Sequence, residues 1–472
     1  MNIMIFKNFK LPIFILFFIY CRTYYIQEGH EAYIITNFTF GSNYYGRYCE
    51  EEEIFQTIIT HKSNLWVWLG NAVYLNKPRF DYFVNTPELM EWDDIKLLYQ
   101  KVKNNKYYKK LEVNVPIIGT WGEEEYGLAN SNKENNFKEA FKQYYLDFLN
   151  ADSLDQRRNR INMGLYSTYS FGSGYKTVRF ILLDLKYDKT PKPDMLGEDQ
   201  WIWLENIFKN SKETYTFICT SSQILPNNIF SFNEWFSESR KKLFDLIGKY
   251  KRNGVVFISG GLGFSQILKT FCPLPNIGYN LYECTSSGLG RSKKFSSFFN
   301  NLYQNDYLLE GKNFFGINFG QVKINWGEND NIKNSYIELE IFDQNDNMVS
   351  DARINYGELI YQNTENYYKE EKNMEYIKYM NIKDGISCER EIYHGVRTFF
   401  MYLRYYLTHL KELHICLFTI FLIIIHANFF FKKIWYFIIY IFLLMILYFI
   451  VKFILYWFDV MNYNSFLEKI KS

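Results

Sequence analysis

Two short stretches carry residue types that could support chemistry. Positions 123–125 hold three consecutive glutamates, which could bind one Ca²⁺ or Mg²⁺ ion or act as a general base. Positions 260–263 read Gly-Gly-Leu-Gly directly after an apolar run, a form typical of a loop that holds an anion. No Gly-Lys-Ser or Gly-Lys-Thr follows these glycines, so the sequence does not predict a nucleotide-phosphate loop there.

The three glutamates have a second interpretation. Adjacent side chains on an extended segment point to alternate sides, so three such carboxylates rarely meet at one ion. A solvated acidic turn is therefore the interpretation that we favour. A metal or general-base site built from Glu123, Glu124 and Glu125 stays open as the alternative.

Histidine is missing from most of the chain. The six histidines are His30, His61, His394, His409, His414 and His426. Residues 62–393 therefore contain none, which excludes a Ser-His-Asp or Cys-His nucleophile set within that stretch.

Apolar runs that end at glycine predict the elements that would position these loops. Residues 65–69 are fully apolar and stop at Gly70, which is typical of a strand buried on both faces. The predicted strands are 32–40, 65–69, 113–118, 178–185, 215–221, 254–258, 320–326 and 335–342. The predicted helices are 50–61, 88–102, 134–149, 197–210 and 236–250. Such strands and helices predict an α/β or α+β layered domain.

Short motifs at these strand ends resemble the PhoD-like phosphatases, a metallophosphatase family also called alkaline phosphatase D. The match covers about residues 33–350 in the family's order. The matching motifs are Phe40-Gly41-Ser42, Trp68-Leu69-Gly70, Ala72-Val73-Tyr74, Pro116-Ile117-Ile118-Gly119-Thr120-Trp121, Tyr126-Gly127, Leu182-Leu183-Asp184, Leu196-Gly197, Gln200-Trp201, Trp203-Leu204-Glu205, Phe257-Ile258-Ser259-Gly260 and Thr285-Ser286-Ser287-Gly288-Leu289. The resemblance implies a metallophosphatase-like four-layer αββα sandwich.

The family's metal ligands are replaced in this chain. Members typically use ions such as Fe and Ca, held by the motifs Gly-Ser-Cys, Gly-Asp, Trp-Asp-Asp-His-Asp and Ser-Gly-Asp-x-His. The corresponding positions here are Asn43, Asn71, Gly122 with the three glutamates, Gly261 and Gly263. The resemblance therefore implies no catalytic residues, no metal and no cofactor. We also expect Asp184, which lies in one of the matching motifs, to have a structural role.

The two ends of the chain predict membrane attachment. Residues 1–23 suit a signal peptide or a short signal anchor, because lysines precede an apolar run of eleven residues. Residues 411–472 form a predicted membrane region with one or two spans, at about 415–431 and 434–458. Between them lie the predicted phosphatase-like domain, residues 24–350, and a polar helical stalk, residues 351–410. This organisation predicts a secretory-pathway or cell-surface membrane, with the main domain lumenal or extracellular.

An oxidising location would affect cysteine and asparagine. A Cys272–Cys284 disulfide is possible there, although the sequence cannot assign pairings. Asn37 begins the sequon Asn-Phe-Thr and is a possible glycosylation site, although a strand position there could block its use.

Three hypotheses for function follow. The leading one is a membrane-anchored, catalytically inactive PhoD-like pseudophosphatase that acts as a binding or assembly module for a protein partner. The second is a metal-dependent phosphatase or phosphodiesterase with a rebuilt carboxylate site. The third is a structural membrane protein that carries the domain as a cap. The net charge of +2 offers no support for nucleic-acid binding.

Overall fold

A computed structural model describes most of the chain between residues 30 and 364. The described residues are 30–31, 33–44, 54–75, 92–127, 132–160, 162–190, 194–226, 235–270, 273–292, 313–328, 331–364, 442–443 and 445–446. The chain divides into two compact units, residues 1–392 and 393–472. In the second unit only the four residues between 442 and 446 are described, and all four are helical.

The strands of the first unit form two mixed sheets. The strands are β1 His30–Glu31, β2 Asn37–Gly41, β3 Trp66–Leu69, β4 Ile117–Thr120, β5 Ser167–Ser173, β6 Lys176–Leu182, β7 Tyr215–Thr220, β8 Val255–Ser259, β9 Gln266–Lys269, β10 Tyr282–Thr285, β11 Asn318–Asn325, β12 Tyr336–Asp343 and β13 Met348–Asn355. One sheet has seven strands in the order β1-β5-β6-β7-β8-β10-β9, and the other has six in the order β13-β12-β11-β2-β3-β4. The central strands β6, β7, β8 and β10 are parallel neighbours, so their carboxyl ends meet at one edge.

Helices connect many of these strands. They are α1 Ile54–Thr60, α2 Trp92–Asn104, α3 Lys106–Asn114, α4 Lys138–Phe148, α5 Gln156–Asn159, α6 Glu198–Asn210 and α7 Ser237–Lys249, with 3₁₀ turns at Ile332–Asn334 and Tyr356–Leu359. The predicted α/β layered domain is therefore confirmed.

Alternation along β3 explains why the two sheets pack face to face. Val67 and Leu69 belong to the core shared by both sheets, whereas Trp66 and Trp68 belong to a second core. In the shared core, the Phe38 ring of β2 lies 4.8 Å from the rings of Phe180 and Phe217 in the seven-stranded sheet. Large aromatic side chains thus fill the space between the sheets.

Helices cover the outer faces of both sheets. Trp68 contacts Tyr108 of α3 and Phe148 of α4, at ring distances of 5.9 and 5.7 Å. On the other side, Phe244 of α7 lies 6.2 Å from Phe257 of β8. The order of layers in the described residues is helix, sheet, sheet, helix.

Several boundaries differ from the sequence-based ones. The strand predicted at 113–118 is the end of helix α3 followed by β4. Asn105 begins that helix, because its side-chain oxygen accepts hydrogen bonds from the backbone nitrogens of Tyr107 and Tyr108. Strands β1, β5, β9, β10 and β13 were not predicted. The domain boundary predicted at residue 350 falls inside strand β13. The domain therefore continues past residue 350, through the rest of β13 and into the 3₁₀ turn at residues 356–359.

The predicted membrane and disulfide features have separate outcomes. Residues 1–23 and nearly all of the spans at 415–431 and 434–458 lie outside the described residues. Within the part of the chain that the structure describes, no helix is both long and apolar enough to cross a bilayer. Cys284 is a free, buried thiol on β10, so the Cys272–Cys284 disulfide is absent.

Candidate site at the strand ends

Loops from both sheets meet at the carboxyl ends of their strands. The backbone nitrogen of Asn43, after β2, donates to the Gly70 carbonyl after β3 at 3.3 Å. The Asn43 carbonyl in turn accepts from the nitrogens of Gly290 and Arg291, after β10, at 3.1 and 3.0 Å. These bonds gather the positions at which the family's metal ligands are expected.

The Glu125 carboxylate lies at the centre of this junction and is fully buried. Its Oε2 atom accepts hydrogen bonds from the backbone nitrogens of Asn71 and Gly122 at 2.7 and 2.8 Å. Its Oε1 atom accepts from the backbone nitrogen of Ala72. One side chain therefore joins the loop after β3 to the loop after β4.

Burial raises the pKa of Glu125 to about 7, although the hydrogen bonds from Gly122, Asn71 and Ala72 oppose the shift. Desolvation disfavours the charged form, whereas donors aimed at a carboxylate favour it. The carboxyl group therefore titrates near neutral pH while it holds the loops.

Asn43 and Asn71 contact each other beside Glu125. The Asn71 Nδ2 atom donates to Asn43 Oδ1 at 2.7 Å, and the Asn71 Oδ1 atom accepts from the Glu124 backbone nitrogen at 3.2 Å. Both residues are left-handed, with φ of 60° and 59°, a conformation that asparagine tolerates. Their amides thus stabilise the loops, and their mutual contact requires no cation.

The glycines let the loop backbones approach closely. A Cβ atom at Gly122 would lie 2.2 Å from Asn71 Oδ1, and one at Gly261 would lie 2.1 Å from the Ser221 carbonyl oxygen. Gly261 and Gly263 also have φ values of 75° and 85°, which favour glycine. A side chain at position 261 therefore needs a different backbone path.

The other two glutamates do not share the environment of Glu125. Glu123 and Glu124 are half-buried, and Glu123 Oε2 lies 3.9 Å from the Nζ atom of the buried Lys186. The expected solvated turn is wrong for Glu125, because its side chain is fully buried and bound to backbone amides. Among the described residues, no group of three or more His, Cys, Asp or Glu side chains is placed to hold a metal ion.

Asp184 links two further segments. Its Oδ1 atom accepts from Trp121 Nε1 at 2.7 Å and from the backbone nitrogen of Lys186 at 2.9 Å, and its Oδ2 atom accepts from the Leu165 nitrogen at 2.7 Å. The carboxylate is fully buried and holds the loop after β6 against β4. These contacts describe a structural role.

Sequence reasoning missed a second buried glutamate, Glu283 on β10. Its two oxygens accept from the backbone nitrogens of Ile224 and Leu225 at 2.9 and 2.8 Å. Burial raises its pKa to about 7, against the lowering effect of these amides, of Ser259 and of the Arg240 charge. The sequence signal that could have found this residue is a glutamate within the otherwise apolar stretch 281–284. Carboxylates are rarely buried without partners, so a glutamate in a buried strand indicates a specific bonding role.

Asn37 lies in β2 at the opposite end of the sheet. Its Nδ2 atom donates to the His61 carbonyl at 3.1 Å, and its Oδ1 atom accepts from the Asn64 nitrogen at 3.1 Å. The amide nitrogen that would carry a glycan is thus engaged in the folded domain. Glycosylation of Asn37 stays a prediction.

Comparison with known proteins gives likenesses of fold. No protein-family model matches the chain, and no curated protein matches it. The structure is similar to one described as PhoD, with 16% identity over 75% of this chain and 79% of that chain, at a TM-score of 0.46. It is also similar to GAP50, described as the anchor in the inner membrane complex of Plasmodium, with 12% identity over 68% of this chain and 89% of that one, at a TM-score of 0.40. Membership of the PhoD-like family stays a prediction.

The residues at the strand ends do not fit the metal centre that the resemblance implies. Such a centre needs several carboxylate or imidazole ligands directed at one point. Here both oxygens of Glu125 accept backbone hydrogen bonds, and the amides of Asn43 and Asn71 bond to each other. Glycine offers no side-chain ligand at positions 122, 261 and 263. This arrangement can hold loops together, and its described side chains do not converge on one point as ligands of a catalytic ion would.

Proposed function

We propose that this chain is a catalytically inactive, phosphatase-like module that is anchored to a membrane and acts by binding or assembly with a protein partner. The domain retains loops at the carboxyl ends of its strands, where α/β proteins usually place their sites. The side chains in these loops stabilise the loops themselves. In this proposal the domain therefore binds a partner and does not catalyse a reaction.

The position of Glu125 carries the proposal of inactivity. This carboxylate lies where ligands of a metal centre are expected, and its oxygens accept three backbone N–H groups. A cation that displaced one of these N–H groups would leave a buried amide without an acceptor, which costs roughly 1–3 kcal/mol. Enzymes that hydrolyse phosphomonoesters lower the activation barrier by roughly 20 kcal/mol or more relative to the uncatalysed reaction. In this class of enzyme, metal ions supply much of that reduction.

Membrane anchoring is proposed from the two apolar C-terminal segments, 415–431 and 434–458. Alkaline carbonate should leave the full-length protein in the membrane fraction. Its release into the soluble fraction would contradict anchoring, without bearing on catalysis.

Inactivity is tested with the full-length protein purified in detergent. Hydrolysis of p-nitrophenyl phosphate and bis(p-nitrophenyl) phosphate should stay at the buffer rate with added Ca²⁺, Mn²⁺ or Fe³⁺. Addition of EDTA should change neither the rate nor the melting temperature, because the proposed inactive module has no metal centre whose loss would destabilise the native state.

The Glu123→Ala variant serves as the control for the rebuilt carboxylate site. Turnover by the parent protein that EDTA or Glu123→Ala abolishes would contradict inactivity and support a metal-dependent phosphatase. Equal background rates in both proteins are expected.

A further inference from the structure

Strand β13 forms one edge of the six-stranded sheet. It pairs with β12 in antiparallel register, and no other described strand pairs with its opposite side. Such an edge presents a row of backbone N–H and C=O groups that can pair with a further strand. The edge of β13 is therefore a candidate interaction surface, built from residues other than those of the strand-end loops.

The hydrogen bonds to β12 show which backbone groups of β13 face outward. Next to the last pair of this ladder, the Tyr356 nitrogen donates to the Ser335 carbonyl at 2.9 Å. Hydrogen-bonded and non-hydrogen-bonded pairs alternate along an antiparallel ladder. Continuing this register places Ala352 in a hydrogen-bonded pair with β12. The N–H and C=O groups of Asp351 and Arg353 therefore point away from β12, toward the open edge.

Two opposite charges flank Ala352 along this edge. Asp351 and Arg353 are both exposed, and they lie on the same face of the sheet because side chains alternate along a strand. The Arg353 guanidinium lies 3.5 Å from the centre of the Tyr336 ring. Stacking uses the flat face of a guanidinium and leaves its N–H groups for a carboxylate.

The neighbouring strand does not neutralise Asp351. Glu340 lies directly opposite it on β12, and Glu340 is ion-paired with Lys323 of β11 at 2.9 Å. Arg353 lies opposite Glu338 in the same register, and neither Asp351 nor Arg353 forms an ion pair with a described residue. Like charges directly opposite each other are destabilising, so a cation supplied from beyond the edge would stabilise Asp351.

Charge and hydrogen bonding select one way of pairing two copies of this edge. Identical strands that pair antiparallel about a two-fold axis need a self-complementary surface. An axis at Asp351 or at Arg353 would place like charges opposite each other. An axis at Ala352 places Asp351 of each copy opposite Arg353 of the other, and these are the residues whose backbone groups face outward. Charges of a single sign discourage edge pairing, whereas this alternation of signs permits it in one register.

We propose that β13 pairs with β13 of a second copy of this chain, antiparallel and centred on Ala352, so that the two six-stranded sheets join into one continuous sheet. Each Asp351 then forms an ion pair with Arg353 of the other copy. The small side chain of Ala352 suits the axis, because the Cα atoms of a non-hydrogen-bonded pair are only about 4.5 Å apart. This inference rests on the proposed assembly role, and it names a second copy as the partner.

Disulfide cross-linking of the full-length protein in detergent tests the register. Ala352→Cys places two thiols across the axis, at a Cα separation of about 4.5 Å that a disulfide can span. Oxidation with copper phenanthroline should therefore give a covalent dimer on a non-reducing gel. Ser350→Cys is the matched control on the same face of β13, because the proposed register separates its two copies by about 14 Å along the strands. It should give no more dimer than the parent protein, which carries the native cysteines.

Reversal of the charges tests the ion pairs. In the Ala352→Cys background, Asp351→Arg or Arg353→Asp replaces two opposite-charge pairs with two like-charge pairs. Each should slow cross-linking about tenfold. An equimolar mixture of the two variants should restore the rate, because each substitution then meets the complementary charge of the other variant. Tags of different length on the two variants identify the mixed dimer.

Three results would overturn the proposal. The first is an Ala352→Cys protein that gives no more dimer than the parent, and the second is equal cross-linking of Ser350→Cys and Ala352→Cys. These cysteine variants keep both charges, so the two results do not depend on how the charge variants fold. The third is a mixture of charge variants that cross-links no faster than either variant alone. None involves hydrolysis or membrane extraction, so this proposal can fail while inactivity, anchoring and binding of a different protein stand.

Discussion

Two fully buried glutamates, Glu125 and Glu283, hold loops at the strand ends of different sheets. Glu125 accepts backbone N–H groups from the loops after β3 and β4, and Glu283 accepts from the loop after β7. Burial raises both pKa values to about 7. A carboxylate that receives amide donors can therefore join loops in either sheet.

The two sites differ in their surroundings. The Arg240 charge and Ser259 lower the pKa of Glu283, and Arg240 also donates to the Leu225 carbonyl at 2.5 Å. Glu125 instead relies on backbone amides, which lower its pKa against burial. Glu125 has more N–H donors to lose, and Glu283 has neighbouring side chains that share its role.

Truncation of the two glutamates should separate them most strongly. Glu125→Ala leaves three buried N–H groups without an acceptor and should lower the free energy of unfolding by about 4 kcal/mol. Glu283→Ala leaves two and should cost about 3 kcal/mol. Urea denaturation of the full-length protein, followed by tryptophan fluorescence, measures both. Glu328→Ala, at an exposed position, is the control and should change little. A larger loss for Glu283→Ala would reverse the comparison.

The pH dependence of stability tests both carboxyl groups together. Their pKa values are about 7 in the folded domain, above the ordinary value of 4.5. A raised pKa stabilises the fold fully below about pH 4.5, and this stabilisation is lost as the pH rises through 7, at about 3 kcal/mol for each group. Melting temperatures should therefore fall from pH 5 to pH 8.

Glutamine variants sharpen the pH experiment. Glu125→Gln and Glu283→Gln each remove one titrating group, so each should show a smaller fall in melting temperature between pH 5 and pH 8. An unchanged fall in both variants would mean that other groups cause the pH dependence.

A side chain at Gly261 tests how tightly the loops pack around Glu125. Gly261→Asp should lower the free energy of unfolding by about 3 kcal/mol, because φ is 75° and Cβ would clash with the Ser221 carbonyl. Gly174→Asp is the matched control: its φ is 59°, and no atom lies within 4 Å of a Cβ there. The control should lose about 1 kcal/mol. Equal losses, measured by urea denaturation, would mean that the loop moves without cost.

The smallest expected effect concerns the amide pair beside Glu125. Asn71→Asp replaces the Nδ2 donor with an oxygen that faces Asn43 Oδ1, at a cost of about 1.5 kcal/mol. Asn206→Asp, at an exposed position, is the control. A rise in the melting temperature of Asn71→Asp with added Ca²⁺, absent from the control, would show that these loops can still hold a cation.

Sequence patterns predicted most of the central elements. The predicted segments 65–69 and 254–258 correspond to β3 and β8. Both could be predicted because strands buried on both faces carry a strong apolar signal. Strand β5 was missed because its residues, Ser-Thr-Tyr-Ser-Phe-Gly-Ser, are largely polar, although six of the seven are buried. Hydrogen bonding to the neighbouring strands β1 and β6 determines that this segment forms a strand.

The candidate site was predicted in part. The replaced positions Asn43, Asn71, Gly122 and Gly261 do lie together, because the strands that precede them end at one edge of each sheet. Their interactions were not predicted, because Asn71 and Glu125 are far apart in the sequence. Only the folded chain brings the Asn71 backbone nitrogen within 2.7 Å of Glu125 Oε2.

The sequence by itself determined which chemical groups are available. Residues 62–393 contain no histidine, and the positions of the expected ligands hold asparagine, glycine or the three glutamates 123–125, whatever the fold. Only the tertiary structure decided which of three adjacent glutamates is buried. Glu125 is the one that three backbone amides from two loops surround, and Glu123 instead lies near Lys186. The physical reason is that burial of a carboxylate requires donors, and packing of distant strands brings those donors together.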